Sequence, residues 1–263
     1  MKPITRDGAM QMLNKVPEVT LYFWIIKIMA TTVGETAADF LNLNLGFGLS
    51  GTSLVTSALL AVFLFVQFRA KKYVPWRYWT TVVLISVVGT LITDNLVDNF
   101  GVALETTTMA FSLALLATFA AWYASEKTLS IHSIFTKKRE LFYWAAILFT
   151  FALGTAAGDL AAEGLKLGYA DSTMIFAAMI GAVTLAYFLF RANAIMAFWL
   201  AYILTRPLGA SLGDYLSQPL ANGGLGLGAM VTSMIFLATI LGLVVYLSLS
   251  RKDMPSPLVI EAR

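Results

Sequence analysis

The sequence predicts an all-α, polytopic membrane bundle of eight transmembrane helices, built from four parallel two-helix hairpin repeats. Three observations lead to this prediction. The chain is 59% hydrophobic and only 13% charged, with a mean hydropathy of +0.77, whereas soluble domains have about 25% charged residues. Its apolar runs reach the roughly 20 residues that cross a bilayer. Finally, one short motif occurs four times at nearly regular intervals.

Eight apolar segments are expected to cross the membrane. They cover residues 21–41, 52–69, 78–98, 106–124, 142–163, 173–190, 195–216 and 229–249. Each is apolar on every side, which is typical of helices in lipid or in a deep core. The predicted divisions of the chain are a cytoplasmic N-terminal segment (1–20), a first four-helix half (21–130), a second four-helix half (131–250) and a cytoplasmic tail (251–263).

The repeated motif has the form Gly-x-x-x-small-Asp and lies at residues 34–39, 89–94, 154–159 and 209–214. Its aspartates are 55, 65 and 55 residues apart, so the two halves are offset by 120 residues. Every hairpin should begin and end on the same side, which makes the copies parallel around an axis along the membrane normal. The Gly and the small residue four positions later allow close helix packing. We therefore expect the odd-numbered spans to form an inner ring.

Basic residues predict the orientation of the bundle. Fifteen of the 18 Lys and Arg residues lie before the first span or after an even-numbered span, and only Lys166 lies in a connection on the opposite side. The positive-inside rule therefore places both termini in the cytoplasm. Aromatic residues cluster at the cytoplasmic ends of the spans, as expected for a membrane interface.

The motif aspartates are the main functional candidates, because a carboxylate inside a membrane segment is costly and indicates function. Four parallel copies should bring them to one depth, in the outer third of a hydrocarbon core about 30 Å thick. Three further acids lie four residues from a motif aspartate, on the same helix face. The candidate ion-binding residues are Asp39, Asp94, Asp159, Asp214, Glu35, Asp98 and Glu163.

Carboxylate oxygens suit hard cations such as Mn²⁺, Mg²⁺ or Ca²⁺, and Na⁺ or protons also fit. The four motif aspartates are the predicted metal ligands, and a bound divalent cation is the only cofactor that the pattern indicates. Like charges that lie close together need a counter-charge or protons. The alternative is that the acids touch water at the outer interface and serve helix packing alone. The chain has no cysteine, which excludes thiolate metal sites and disulfides.

Two basic residues lie within spans. Arg206 precedes Pro207, which should kink its helix. Arg206 is expected to form an internal ion pair with a carboxylate, or to act as a tethered cation that competes with the substrate. Lys27 either extends to the cytoplasmic interface or has an ion-pair or gating role.

Residues 15–27 and 31–39, together with 154–159 and 205–214, resemble a bacterial family of uncharacterised, multi-spanning, membrane-anchored proteins. This resemblance implies a bacterial inner-membrane protein and implies no activity. A looser similarity, to cation exporters of the manganese and calcium type that also duplicate Gly–acid motifs, is an analogy.

The sequence favours a membrane transporter of inorganic cations, specifically an exporter of Mn²⁺ or a similar hard divalent metal. The alternative is a non-transporting scaffold or sensor. The expected partners are an inorganic cation, protons and the lipid bilayer. No nucleic-acid partner is indicated by the net charge of +3, because the basic residues are explained by topology. An enzyme is not expected, because Gly-x-Ser-x-Gly and a Cys nucleophile are both missing.

Overall fold

The computed structural model describes residues 14–254, and this part of the chain contains eight long helices and no strand. Their bounds are α1 Leu21–Asp39, α2 Gly48–Phe68, α3 Pro75–Asp94, α4 Leu104–Glu126, α5 Lys137–Asp159, α6 Tyr169–Phe190, α7 Ala194–Ser217 and α8 Ala229–Ser250. Each predicted segment overlaps one of these helices, so the all-helical prediction is confirmed. Most of the two predicted cytoplasmic segments, at 1–13 and 255–263, lies outside the described residues.

Seven of the eight helices are long and apolar enough to cross a membrane. Helix α1 is the exception, because Lys27 and Glu35 lower the hydropathy of its 19 residues. Helices α2, α4 and α6 leave most of their surface exposed, whereas more than half of the apolar stretch of α3, α5 and α7 is buried. The helices therefore form an inner set and an outer set.

The inner set is a closed ring of four helices. Helix α1 packs against α3 and α7, and α5 packs against the same two helices from the opposite side. All four helices run in one direction, so the ring has two distinct ends. The acidic end is defined here as the end at which the motif aspartates lie, in the last turn of α1, α3, α5 and α7. The basic end is the end at which these four helices begin.

The outer helices interlock the repeats. Helix α2 packs along α3, α4 along α5 and α6 along α7, and α8 returns to pack along α1. Helices α2, α4 and α6 thus cover the ring helix that follows each of them in the chain, and they meet their own hairpin partners mainly at the turn between the two helices. The first three turns contain a glycine with positive φ, at Gly46, Gly101 and Gly168. After each of these turns, the outer helix packs on the ring helix of a neighbouring repeat. The repeats are therefore not the simple two-helix hairpins that the sequence predicted.

The motif glycines allow the ring helices to touch. A Cβ atom on Gly34 would collide with Ser86 of α3, and one on Gly209 would collide with Thr31 of α1. Gly89 and Gly154 meet Phe151 and Arg206 in the same way. Every motif glycine therefore lies against the residue that, in the next repeat, precedes that repeat's own glycine by three positions. The contacts run once around the ring, as close packing through small residues requires.

A segment of the N-terminal region covers the basic end. Asn14 accepts a hydrogen bond from Tyr73 N at 2.9 Å through its carbonyl, and Lys15 N donates to Ile134 O at 3.0 Å. The Lys15 ammonium forms a buried ion pair with Glu140 at 2.6 Å. These bonds attach residues 14 and 15 to the connections before α3 and α5 and to the first turn of α5.

We expect Gly209→Ala to lower the free energy of unfolding by about 1–3 kcal/mol, the usual cost of overpacking a core. The added methyl group would meet Thr31 and the backbone of Thr32. Chemical unfolding in detergent measures the effect. Gly242→Ala is the matched control, because Gly242 lies in α8 with no neighbouring atom within 4 Å. It should be neutral or stabilising, since a helical glycine costs about 0.5–1 kcal/mol relative to alanine. Equal effects of the two substitutions would contradict the ring packing.

The basic asymmetry predicts that the acidic end faces out of the cell. Because the natural chain has no cysteine, single cysteines at Asn222 and Ser125 can report topology. Both positions are exposed, near the acidic and basic ends respectively. A membrane-impermeant maleimide should label Asn222→Cys in intact cells and Ser125→Cys only after the membrane is opened. The reverse pattern would invert the orientation.

Candidate functional site

The ring helices stack equivalent residues in layers along their shared axis. Residues four apart lie on one helix face, and the repeat spacing puts the same positions of all four helices at one height. From the basic end, three successive layers are Lys27, Val82, Ile147 and Tyr202; Thr31, Ser86, Phe151 and Arg206; and Glu35, Thr90, Thr155 and Ala210. All twelve residues are buried, and the motif aspartates form the next layer.

Arg206 occupies the centre of the ring and is completely buried. Its Nη2 donates to Glu35 Oε2 of α1 at 3.0 Å, and its Nη1 donates to the carbonyl oxygen of Thr31 at 2.6 Å. The arginine therefore forms an ion pair with one of the predicted acids. Gly154 of α5 provides the space, because a Cβ there would collide with the Arg206 side chain.

The same guanidinium also bonds to the other two ring helices. Its Nη2 donates to the hydroxyl oxygens of Thr90 of α3 and Thr155 of α5, the latter at 2.6 Å, and its Nε donates to the carbonyl oxygen of Phe151 at 3.4 Å. Thr90 in turn donates to Glu35 Oε2 at 3.4 Å. One side chain of α7 thus bonds to all three other ring helices, and the two threonines serve Arg206 rather than an external ion.

Lys27 lies next to Arg206, towards the basic end. It is fully buried, so it does not extend to the interface. Its Nζ is 4.2 Å from the ring centroids of both Phe151 and Tyr202, and within residues 14–254 it has no hydrogen-bond partner. The two aromatic faces therefore provide its cation–π environment, and Arg206 adds like-charge repulsion.

The structure brings the four motif aspartates and Glu35 together at the acidic end. Glu35 acts electrostatically on all four aspartates, and Asp39 acts on the other three. Asp214 is buried, whereas the other three aspartates are half-buried. This group of five carboxyls is called the acidic cluster below.

Asp98 and Glu163 lie at the rim of the acidic cluster. Both are exposed, and Glu163 Oε1 accepts a hydrogen bond from the Tyr169 hydroxyl at 3.0 Å. Among the described residues, no three His, Cys, Asp or Glu side chains are arranged to hold a metal ion. The predicted aspartate metal site is therefore not a preformed cage, and direct coordination would require these side chains to move together.

Three π-helical segments were missed by sequence reasoning. They follow three of the motif aspartates directly, at Phe40–Asn44, Asn95–Asn99 and Leu160–Gly164. Such segments occur frequently at functional sites. The fourth repeat has Pro219 at the corresponding place, and α7 ends at Ser217. Proline lacks the N–H group needed to continue a helix. The end of the fourth ring helix without a π-helical segment could therefore have been predicted from the sequence.

Four consecutive stretches of the chain match the family described as Repeat of Unknown Function (DUF347). The matched residues are 22–73, 77–128, 142–193 and 197–253. The chain belongs to the DUF347 repeat family. Each DUF347 repeat contains one ring helix and the outer helix that follows it. This confirms the predicted fourfold internal repeat. No curated protein and no solved structure matches the chain significantly.

Replacing Arg206 should strongly destabilise the DUF347 ring. Arg206→Met leaves Glu35 buried without its cation, and loss of one partner of a buried pair costs about 3–5 kcal/mol. The measurement is unfolding in detergent, and the double variant Arg206→Met, Glu35→Leu should recover part of the loss.

Arg191→Met is the matched control, because Arg191 is exposed at the end of α6 and its removal should change stability little. An Arg206→Met protein as stable as the parent would show that the central network is dispensable for folding.

Proposed function

We propose that this DUF347 protein is a membrane transporter of inorganic cations that binds its ion at the acidic cluster. The observation that carries the proposal is geometric: the four repeats place one aspartate each in a single layer, in the last turn of the four ring helices. Glu35 adds a fifth carboxyl, while Arg206 is the one basic side chain bonded to this cluster among the described residues. The remaining carboxyls need protons or an external cation to offset their repulsion.

Hard divalent cations suit these ligands best. The cluster offers oxygen and no sulfur, and Mn²⁺ and similar ions bind carboxylates well. Aspartates that are half-buried can take an ion from water and remove part of its hydration shell. An entering cation would compete with Arg206 for Glu35, so the arginine acts as a resident counter-ion that holds the empty site together.

The filled axis favours a carrier over an open channel. Below the acidic cluster, a cation would meet the side chains of Arg206 and Lys27, both fully buried. Two fixed basic groups in a low-dielectric interior repel a passing cation strongly. Transport is therefore proposed to require rearrangement of the ring helices, with Arg206 changing partners as the ion binds and leaves.

The proposed setting is a bacterial inner membrane, with both termini in the cytoplasm and the acidic cluster near the outer surface. The distribution of basic residues supports this orientation. Export of the ion is the proposed direction, on the analogy with duplicated-motif exporters. No enzymatic activity is proposed.

A second candidate function is a membrane scaffold or sensor that transports nothing. The observation in its favour is the Arg206 network, which already neutralises Glu35 and bonds to all the ring helices. In that case the aspartates would serve only helix packing and contact with water.

Neutralising one motif aspartate should weaken cation binding and slow cation flux. Asp94→Asn and Asp159→Asn are expected to reduce Mn²⁺ affinity by about tenfold or more, which corresponds to about 1.4 kcal/mol. Affinity should also fall as the pH is lowered, because protons compete for the carboxylates. Mn²⁺, Ca²⁺, Mg²⁺ and Na⁺ fluxes in proteoliposomes measure this.

Asp171→Asn is the matched control. Asp171 is an exposed acid in the first turn of α6, which begins at the acidic end, and it is not part of the acidic cluster. Its fluxes should equal those of the parent. If folded parent protein moves none of these ions, or if all the motif variants behave like the parent, the scaffold function replaces transport.

A further inference from the structure

Lys27 is a buried basic residue whose ammonium has no hydrogen-bond partner in the described part of the protein. It has no hydrogen-bond acceptor there, and it is fully buried beside a second cation. A buried charge without a partner is costly, and ionisable residues inside membrane bundles mark proton or ion pathways. A hydrophobic residue would pack at this height more cheaply, as Val82 and Ile147 do at the equivalent positions of α3 and α5.

A row of buried tyrosines extends from Lys27 towards the basic end. Tyr202 is the first member, in contact with Lys27 through its ring, and its hydroxyl has no hydrogen-bond partner among the described residues. One helical turn nearer the basic end, below Val82 and Ile147, the hydroxyls of Tyr78 and Tyr143 lie 2.5 Å apart and share a hydrogen bond. Phenol hydroxyls both donate and accept hydrogen bonds, so the Tyr78–Tyr143 pair can pass a proton, and a water molecule would have to join this pair to the Tyr202 hydroxyl.

The row ends at the surface of the basic end. The ring of Tyr73 packs edge-on against that of Tyr78, with centroids 5.7 Å apart. The Tyr73 hydroxyl donates to Asp253 Oδ2 at 2.5 Å, and Tyr73 also lines a surface pocket of about 540 Å³ with Asn14 and Arg251. Burial raises the pKa of Asp253, while the bond from Tyr73 opposes that shift. Four buried tyrosines thus lie between Lys27 and a pocket that water can enter, and two links are direct hydrogen bonds, Tyr78 to Tyr143 and Tyr73 to Asp253.

We propose that Lys27 is the proton-carrying residue of the transport cycle, exchanging its proton with the basic-end surface through this tyrosine row and coupled to the cation site through Arg206. The proposal rests on the proposed cation transport, and it names the ion that moves against the cation. It assigns Tyr202, Tyr143, Tyr78 and Tyr73 to the path.

The proton transfer conserves charge at each step. The Lys27 ammonium breaks one N–H bond, and the proton bonds to a phenol oxygen or to an intervening water molecule. That acceptor passes its own O–H proton to the next oxygen, so every phenol ends neutral. The last proton reaches water in the pocket, and Lys27 remains as a neutral amine. The reverse sequence recharges it.

Arg206 couples the proton to the cation. When a cation binds Glu35, the guanidinium loses its carboxylate partner and its positive charge is no longer balanced. Lys27 then experiences stronger repulsion and releases its proton. Arg206 is the one charged group that acts on Lys27 among the described residues. The other titratable group in contact with Lys27 is Tyr202 of α7, through its ring. Tyr78 of α3 and Tyr143 of α5 lie one helical turn nearer the basic end, and Tyr246 of α8 packs against Tyr22 and Lys252. By linkage, a protonated Lys27 must weaken cation binding by the same factor.

The test is the number of protons released per cation bound, measured by calorimetric titration of the full-length protein with Mn²⁺ in two buffers of different ionisation enthalpy. Parent protein should release protons, and its affinity should rise with pH. Lys27→Met should still bind Mn²⁺, with fewer protons released and a shallower pH dependence. Equal proton release by Lys27→Met and parent would overturn the proposal while leaving the cation site intact. No Mn²⁺ binding by the parent would instead reject the proposed function, and this inference with it.

A second variant, Tyr143→Phe, tests the proposal even if Lys27→Met does not fold. Tyr143→Phe keeps the ring and removes the hydroxyl bonded to Tyr78, so it should bind Mn²⁺ as the parent does. In proteoliposomes with an internal pH dye, Mn²⁺-driven proton movement should be at least several-fold slower. Tyr187→Phe is the control, because Tyr187 is exposed on α6 and should behave as the parent. Unchanged proton movement in Tyr143→Phe would remove the tyrosine row from the path.

Discussion

The bonds of one buried guanidinium hold the four ring helices in register. Arg206 belongs to α7 and bonds to α1, α3 and α5 within two adjacent layers. In a sealed, apolar interior, its charge is acceptable only because a carboxylate, two hydroxyls and two backbone carbonyls surround it. Any rotation or sliding of a ring helix would separate the arginine from at least one partner. The height of each repeat relative to the others is therefore fixed by a single side chain.

The ring combines symmetric packing with asymmetric chemistry. The four motif glycines make equivalent contacts around the ring, and the four motif aspartates lie at one level in the last turn of the ring helices. The three layers on the basic side of the aspartates differ from helix to helix, since their basic residues come from α1 and α7 alone and their one carboxylate comes from α1. If all four helices carried the same charged residue in a layer, like charges would face each other across the axis. One arginine and one glutamate instead form an ion pair with hydroxyl neighbours. Duplication thus supplied the scaffold, and divergence at a few axial positions supplied the charges.

The outer helices convert four weakly connected repeats into one body. If each outer helix packed only on the ring helix of its own repeat, the repeats would be connected only by contacts between ring helices. Because each outer helix covers the next ring helix, and α8 covers α1, neighbouring repeats share both layers. The covering segment at Asn14 and Lys15 adds a buried ion pair at the basic end. The acidic end has no comparable cover among the described residues, so Asp98 and Glu163 remain exposed.

The sequence by itself determined the local structure and the repeat register. Long apolar runs must form helices, and the matched glycine and aspartate positions required four parallel helices that touch through small residues. These properties depend on spacing along the chain, which a sequence records directly. The presence of acids at a common level followed from the same spacing.

Only the tertiary structure decided which charges meet. Lys27 could have reached the interface, and its burial between Phe151 and Tyr202 depends on residues more than a hundred positions away. The choice of Glu35 as the partner of Arg206, the packing of each outer helix on the next repeat and the π-helical turns after three aspartates likewise depend on three-dimensional neighbours. The energy of a buried charge is set by the atoms that surround it in space, and the repeat pattern does not contain that information.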